Sequence, residues 1–137
     1  MIRMFNPVPK PKHKRKAPKR GKRGQIDNKE YNKVIDNHGY QCWACGSTSI
    51  EMHHVVFRSQ GGRGVYRNLI PLCNEHHKQA HRNPKINDSY KNKLRDMYGP
   101  YFYCDEHDLW LDALIKEPTK EHMERFFEGD RSGSMGY

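Results

Sequence analysis

Residues 51–81 read EMHHVVFRSQGGRGVYRNLIPLCNEHHKQAH. The stretch carries a His pair at 53 and 54, an Asn fourteen residues after the second His, and an H-x3-H pair at 77 and 81. Ile50 to Phe57 alternates loosely and is partly β-branched, which predicts a strand, and Arg58 to Arg67, with Gly61, Gly62 and Gly64, predicts a flexible loop. Leu69 to Leu72 predicts a short return strand. Cys73 then leads into a helix running roughly from Asn74 to Arg82, ended by Asn83-Pro84. This order of strand, loop, strand and helix gathers a general base, a positioning amide and imidazole metal ligands, the set needed to hydrolyse a phosphodiester.

On the predicted helix His77 and His81 are four residues apart, so their imidazoles project from one face and can share an ion. His76 points about a quarter-turn away, which divides the cluster into two jobs. Cys42 and Cys45 form C-x2-C, and Cys73 and His76 form C-x2-H. The Cys42-Trp-Ala-Cys45-Gly46 turn aims two thiolates at one point, and Gly46 lets the backbone fold under a metal. Three thiolates and one imidazole make a closed structural zinc site of Cys42, Cys45, Cys73 and His76. Cys104 is the rival fourth ligand, because Cys104-Asp-Glu-His107 repeats the spacing; local spacing favours His76 and leaves Cys104 as a buried free thiol.

A chain of 137 residues with 34% apolar content supports one domain but no deep core, so a staple of this kind is expected. No secretory signal or apolar run near membrane-spanning length is evident. A reducing, cytoplasmic compartment is therefore expected, with zinc favoured over disulfides. Charge is unevenly placed. Residues 1–23 hold ten Lys or Arg and no acid, so 15 bases face 16 acids in the remainder, and the whole excess behind the net +9 lies in the tail. With Pro7, Pro9, Pro11 and Pro18 in the same stretch, residues 1–24 are expected to be a disordered arm that lies along a polyanion. DNA is the natural partner for Lys10, Lys12, Lys14, Arg15, Lys16, Lys19, Arg20, Lys22 and Arg23. A solubilising or targeting extension, or an anionic-membrane anchor, is the alternative. The membrane is disfavoured because no amphipathic apolar face accompanies the charges.

Residues 25–137 are expected to form the domain, with a motif core at 40–82 and a helical, acidic extension at 83–137. NKEYNKVIDNHGY predicts a short helix, with Asp27 or Asn28 as N-cap and Gly39 as its stop, that props the zinc knuckle. Beyond Arg82, Asn87 or Asp88 is expected to cap a helix through Met97. Amphipathic helices are expected around Asp108 to Ile115 and Thr119 to Phe127, and the GDRSGSMGY ending is expected to fray. From Cys104 to Tyr137 nine acids face four bases, so this end repels DNA and can dock the basic tail or a partner.

Together these motifs resemble the HNH endonucleases with the ββα-metal fold, over about Tyr40 to Arg82. The resemblance implies an α+β fold: a small ββα-metal (His-Me finger) core with a zinc knuckle and flanking helices. It also implies catalytic roles for His54, Asn68 and His77. The catalytic domains of nuclease colicins share the Glu-x-His-His strand and the helical H-x3-H, here Glu51, His53, His54, His77 and His81. By that likeness His53, His77 and His81 hold the catalytic ion, His54 takes the proton from water, and Glu51 orients a neighbouring Arg or His. Small zinc-stapled phage and prophage HNH proteins are similar over more of the order, although here His76 stands where they usually carry a second C-x2-C.

The implied mechanism pairs the His54 base with a single divalent ion opposite it, leaving 5′ phosphate and 3′ hydroxyl ends. A carbonyl in the Gly-rich loop is expected to fix the His54 tautomer, and Asn68 to pin the loop. Mg2+ or Mn2+ is the expected working ion, with Ni2+ or Zn2+ binding three imidazoles more tightly. Arg58, Arg63 and Arg67 are candidates to clamp flanking phosphates. The reading is a metal-dependent DNA endonuclease of weak sequence preference, with a phage or prophage role in packaging, recombination or DNA degradation. Its alternatives are a non-catalytic zinc-knuckle DNA-binding protein and a structure-selective nuclease for branched DNA.

Overall fold

The structure, a computed structural model, describes residues 18–130; Lys10, Lys12, Lys14, Arg15 and Lys16 lie outside the described residues, as does the end expected to fray from Gly129, except for Gly129 and Asp130, which fall in the last described turn. A single helical turn, α1 (Arg20–Arg23), precedes α2 (Asn28–His38), which the Asp27 side chain caps by accepting from the Glu30 amide and which Gly39 ends. Residues 19–24, the end of the expected arm, carry the α1 turn and meet the domain through the Arg23 and Gly24 carbonyls, which accept from Gly64 and His54.

Strand β1 (Glu51–His54) pairs antiparallel with β2 (Leu69–Leu72), with His53 opposite Ile70 and His54 opposite Leu69. The strand predicted to run to Phe57 stops at His54 because a side chain takes over the pairing. The Val56 amide donates to Asn68 Oδ1 at 2.8 Å instead of to a neighbouring strand. The connecting loop is less plain than its glycines suggest, since Arg58–Gln60 and Tyr66–Asn68 are 3-10 turns. Gly62 meets a close approach here, because a Cβ on it would lie 1.7 Å from the Val56 carbonyl oxygen.

Helix α3 (Asn74–Arg82) follows β2 directly, with Cys73 as its N-cap. Asn83 ends α3 and, through its side chain, caps α4 (Pro84–Tyr98). Pro84 at the first helical position loses an amide that would have had no partner. Helix α4 therefore starts earlier than predicted, and Asn87 is a buried interior residue rather than its cap. Helix α5 (Glu106–Leu111) begins at an Asp105–Asp108 capping box, and α6 (Lys120–Arg125), capped by Thr119, runs into one wide turn at Phe126–Asp130.

The main core joins Val55, Ile70, Leu72, Ala80, Tyr90, Leu94 and Phe102, so the exit from β1 shares one apolar centre with β2, α3 and α4. Cys104, Leu109, Met123 and Phe127 form a smaller one, and Tyr103 packs against both. Cys104 is a buried free thiol within that second cluster, and burial first of all, with nearby carboxylates, pushes it up to about 12. The chain is a mixed α and β protein whose centre is strand, strand, helix. Among the described residues no helix is long and apolar enough to cross a membrane.

Candidate metal centres and catalytic cleft

The knuckle turn, the end of β2 and the start of α3 bring Cys42, Cys45, Cys73 and His76 together, with their ligand atoms all within 4.8 Å of one another. Cys45 Sγ lies 3.9 Å from Cys73 Sγ, and His76 Nδ1 lies 3.2 Å from Cys73 Sγ and 3.7 Å from Cys42 Sγ. A tetrahedral zinc bound to sulfur and nitrogen ligands has edges of roughly 3.8 and 3.5 Å, so the donor set fits zinc. Three features aim it. Gly46 adopts φ +81°, the Trp43 amide donates to the Pro71 carbonyl at 2.8 Å, and Cys73 sits at a helix N-terminus where the dipole favours a thiolate. Burial alone raises the Cys42 thiol, but amide contacts from residues 73, 45 and 44 outweigh it and bring the group down to about 6.

A second cluster joins His53 of β1 to His77 and His81 of α3. His53 is fully buried, and its Nε2 lies 2.8 Å from Asn87 Oδ1. An amide oxygen only accepts, so Nε2 carries the proton and Nδ1 keeps its lone pair. That Nδ1 is buried without a hydrogen-bond partner among the described residues, as a ligand nitrogen would be. Asn87 is itself oriented by donating to the Val55 carbonyl at 2.9 Å. On the other side His77 Nδ1 donates to Glu51 at 2.6 Å, which leaves its Nε2 lone pair facing His81 Nε2 at 3.3 Å. Two such nitrogens repel unless a proton or cation lies between them, so this trio fits a divalent ion with Asn87 and Glu51 orienting its ligands. Burial first, then the charges of its neighbours, hold His53 down to about 4, a neutral imidazole suited to ligation.

His54 leaves β1 on the opposite side from His53, and its Nε2 donates to the Gly24 carbonyl at 2.8 Å. The predicted tautomer-fixing carbonyl is thus present, but it comes from the chain before α2 rather than from the Gly-rich loop. Nδ1 then holds the lone pair. Burial mainly, with the charges of Arg58 and His77, lowers the His54 pKa against the opposing Gly24 bond. His54 lines a cleft of about 390 Å3 with Met52, Phe57, Arg58, Ser59, His77 and His81. Asn68 is fully buried and binds across the loop, accepting from the Val56 amide and donating to the Val56 and Arg63 carbonyls at 3.1 and 3.0 Å.

The arginines divide differently from expectation. Arg58 stays exposed beside the cleft, with one N–H on the Gly21 carbonyl at 2.9 Å, and Lys19, Arg20 and Lys22 are exposed on α1 and its cap. Arg63 is instead bidentate to Asp108 at 2.9 Å on both oxygens, and Arg23 grips Asp105 at 2.7 Å. Arg67 is buried, paired with Glu124 at 2.7 Å and covered by the rings of Tyr66 and Phe127. These three hold the domain together and leave no free fork for a phosphate. Asn87 and Gly24 were missed in the sequence. A polar residue on the otherwise apolar face of Tyr90 and Leu94 is a legible sign of the first; a main-chain carbonyl has no side-chain signature.

The HNH endonuclease family model matches residues 40–83. Neither a curated protein nor a solved structure matches the chain.

Proposed function

We propose, from the match of the HNH endonuclease family model to residues 40–83, that the protein is a metal-dependent DNA endonuclease in which His54 is the general base. The observation that carries the reading is the His54 ring: its Nε2–H is held by a carbonyl, its Nδ1 lone pair is left for a proton, and it shares one cleft with His77 and His81. His54 takes the proton from water in the cleft. Asn68 acts at one remove, by fixing the loop from Val56 to Arg63 that walls the site. His53, His77 and His81 would hold a divalent ion such as Mg2+ or Mn2+, which would supply neutralisation of charge on the scissile phosphate and the leaving 3′ oxygen. Glu51 and Asn87 keep the lone pairs of His77 and His53 directed at that position. Cys42, Cys45, Cys73 and His76 would hold structural zinc, and their placing ties the start of α3, and so His77, to the knuckle.

Duplex DNA is the substrate that the basic arm, Lys19, Arg20, Lys22 and Arg58 favour, through contacts to phosphates that carry no sequence information. Weak sequence preference follows, and the order of motifs supports a phage or prophage enzyme of packaging, recombination or DNA degradation. The test is plasmid nicking by the wild type and His54→Ala, each with Mg2+, Mn2+ or a chelator. Metal-dependent nicking that the variant loses while keeping its fold and DNA affinity supports the reading. Tight DNA binding with no cleavage by either protein in any metal points instead to a binding module.

A further inference from the structure

The chain segment that leads out of the basic arm reaches the catalytic cleft through its main chain. Besides the Gly24 carbonyl on His54, the Arg23 carbonyl accepts from the Gly64 amide at 2.9 Å, and Arg20 donates to the Ser59 carbonyl at 2.5 Å. Helix α1 itself buries no residue, so little apolar packing holds this segment in place. Side chains do: Arg20 and Arg58 through exposed bonds to main-chain carbonyls, and Arg23 through a more buried ion pair. The Arg23 guanidinium is about one-tenth exposed and binds both oxygens of Asp105 at 2.7 Å and Asp108 at 2.9 Å. Asp108 is in turn gripped by Arg63, whose carbonyl accepts from Asn68, whose amide oxygen holds Val56, two residues along the chain from His54. The contacts form a closed ring: His54, Gly24, Arg23, Asp108, Arg63, Asn68 and back to β1.

We propose that Arg23 is a positioning residue for the general base: by gripping Asp105 and Asp108 it holds the Gly24 carbonyl on His54 Nε2, so the root of the DNA-binding arm sets the tautomer of the catalytic imidazole. The inference rests on the reading of His54 as the base. Arg23 thus leaves the set of phosphate contacts that its charge suggested. Its neighbour Lys22, exposed and on the same turn, has no such role. The acidic C-terminal extension gains a function here, since Asp105 and Asp108 open α5 and are what the arm docks on.

The experiment compares steady-state cleavage by the full chain as wild type, Arg23→Gln, Arg23→Lys, Lys22→Gln and His54→Ala, with the imidazole 15N signals of His54 recorded for each folded protein. A general base contributes ~10²–10⁴ in rate, so scrambling its tautomer in Arg23→Gln lowers kcat at least about tenfold. KM stays near wild type, Arg23→Lys recovers part of the loss, and the His54 signals change from one Nε2–H tautomer to a mixture. Lys22→Gln, by contrast, raises KM. Asp105→Asn, which can still cap α5 but lacks the charge, gives the same kcat loss and serves if Arg23→Gln does not fold. An Arg23→Gln enzyme with wild-type kcat and an unchanged His54 tautomer overturns the proposal, as does a variant that changes KM alone. Should His54→Ala cut as well as wild type, or wild type not cut, the base reading falls instead, and the 15N signals alone show whether Arg23 governs the tautomer.

Discussion

Asn87→Ala removes a side chain that is 4% exposed and joins two buried groups, the His53 Nε2–H and the Val55 carbonyl. If water enters the space, each lost bond costs ~0.5–1.5 kcal/mol net, about 2 kcal/mol together. If the space stays dry, each orphaned group costs ~1–3 kcal/mol, about 4 kcal/mol in all. The expected destabilisation therefore lies between about 2 and 4 kcal/mol, read as a lower urea midpoint with an unchanged slope. The variant also frees His53 to protonate at Nδ1, the atom it needs for ligation. Loss of such an orienting partner weakens metal binding ~10–100-fold, measured by titrating Ni2+ into the protein with its zinc left in place. A stability change under about 0.5 kcal/mol would put Asn87 among ordinary surface substitutions. Together with an unchanged Ni2+ affinity, that outcome would refute the assignment of His53 as a ligand oriented by α4.

Three further outcomes are expected. His54 loses its proton below the ordinary histidine value, so cleavage falls only as pH drops through a pKa below about 6.5. Removing the neighbouring charge with Arg58→Gln moves that acid limb upward, and a wild-type limb above 6.5 contradicts the assignment. Burial alone would raise Asp108, but the hydrogen bonds from Arg63 and the Asp105 amide and the charges of Arg63 and Arg23 outweigh it and lower the group. Its folded pKa lies below the unfolded one, so the stabilisation is complete above about pH 4 and is lost as pH falls through the folded value. The stability gap between wild type and Asp108→Asn, measured by urea unfolding from pH 7 to 3, should close in that window, and a constant gap refutes the argument. Chelation or Cys42→Ser should unfold the knuckle, whereas Cys104→Ala should retain one tightly bound zinc per chain by mass spectrometry. Loss of that zinc in Cys104→Ala would restore Cys104 as a ligand.

Much of the centre was legible because its signals are local. Cys73 and His76 share one turn, His77 and His81 one helix face, and Gly46 marks the tight turn of the knuckle. Helix periodicity alone separated His76 from His77, and the structure sends them to different clusters. What was not legible depends on pairs distant in sequence. Arg63 and Arg67 look like free cations in a glycine-rich loop, and only the folded chain brings Asp108 and Glu124 to them. Asn83-Pro84 reads as a stop, and it is one for α3. That the same asparagine also opens a new helix depends on Pro84 fitting its first turn, which a breaker rule does not see.

That shared asparagine has a consequence for how the chain can change. Helix α3 carries the imidazoles at 77 and 81 and α4 carries Asn87, and no residue between Arg82 and Pro84 is spare, since Asn83 ends one helix and begins the other. One inserted residue would turn α4 about 100° against α3 and swing Asn87 out of reach of His53. The bend between α5 and α6, residues 112–119, has eight positions between helices and no ligand of either cluster. Length variation and foreign insertions should therefore be tolerated there and rejected at Asn83, and the two helices should open to hydrogen exchange as one unit.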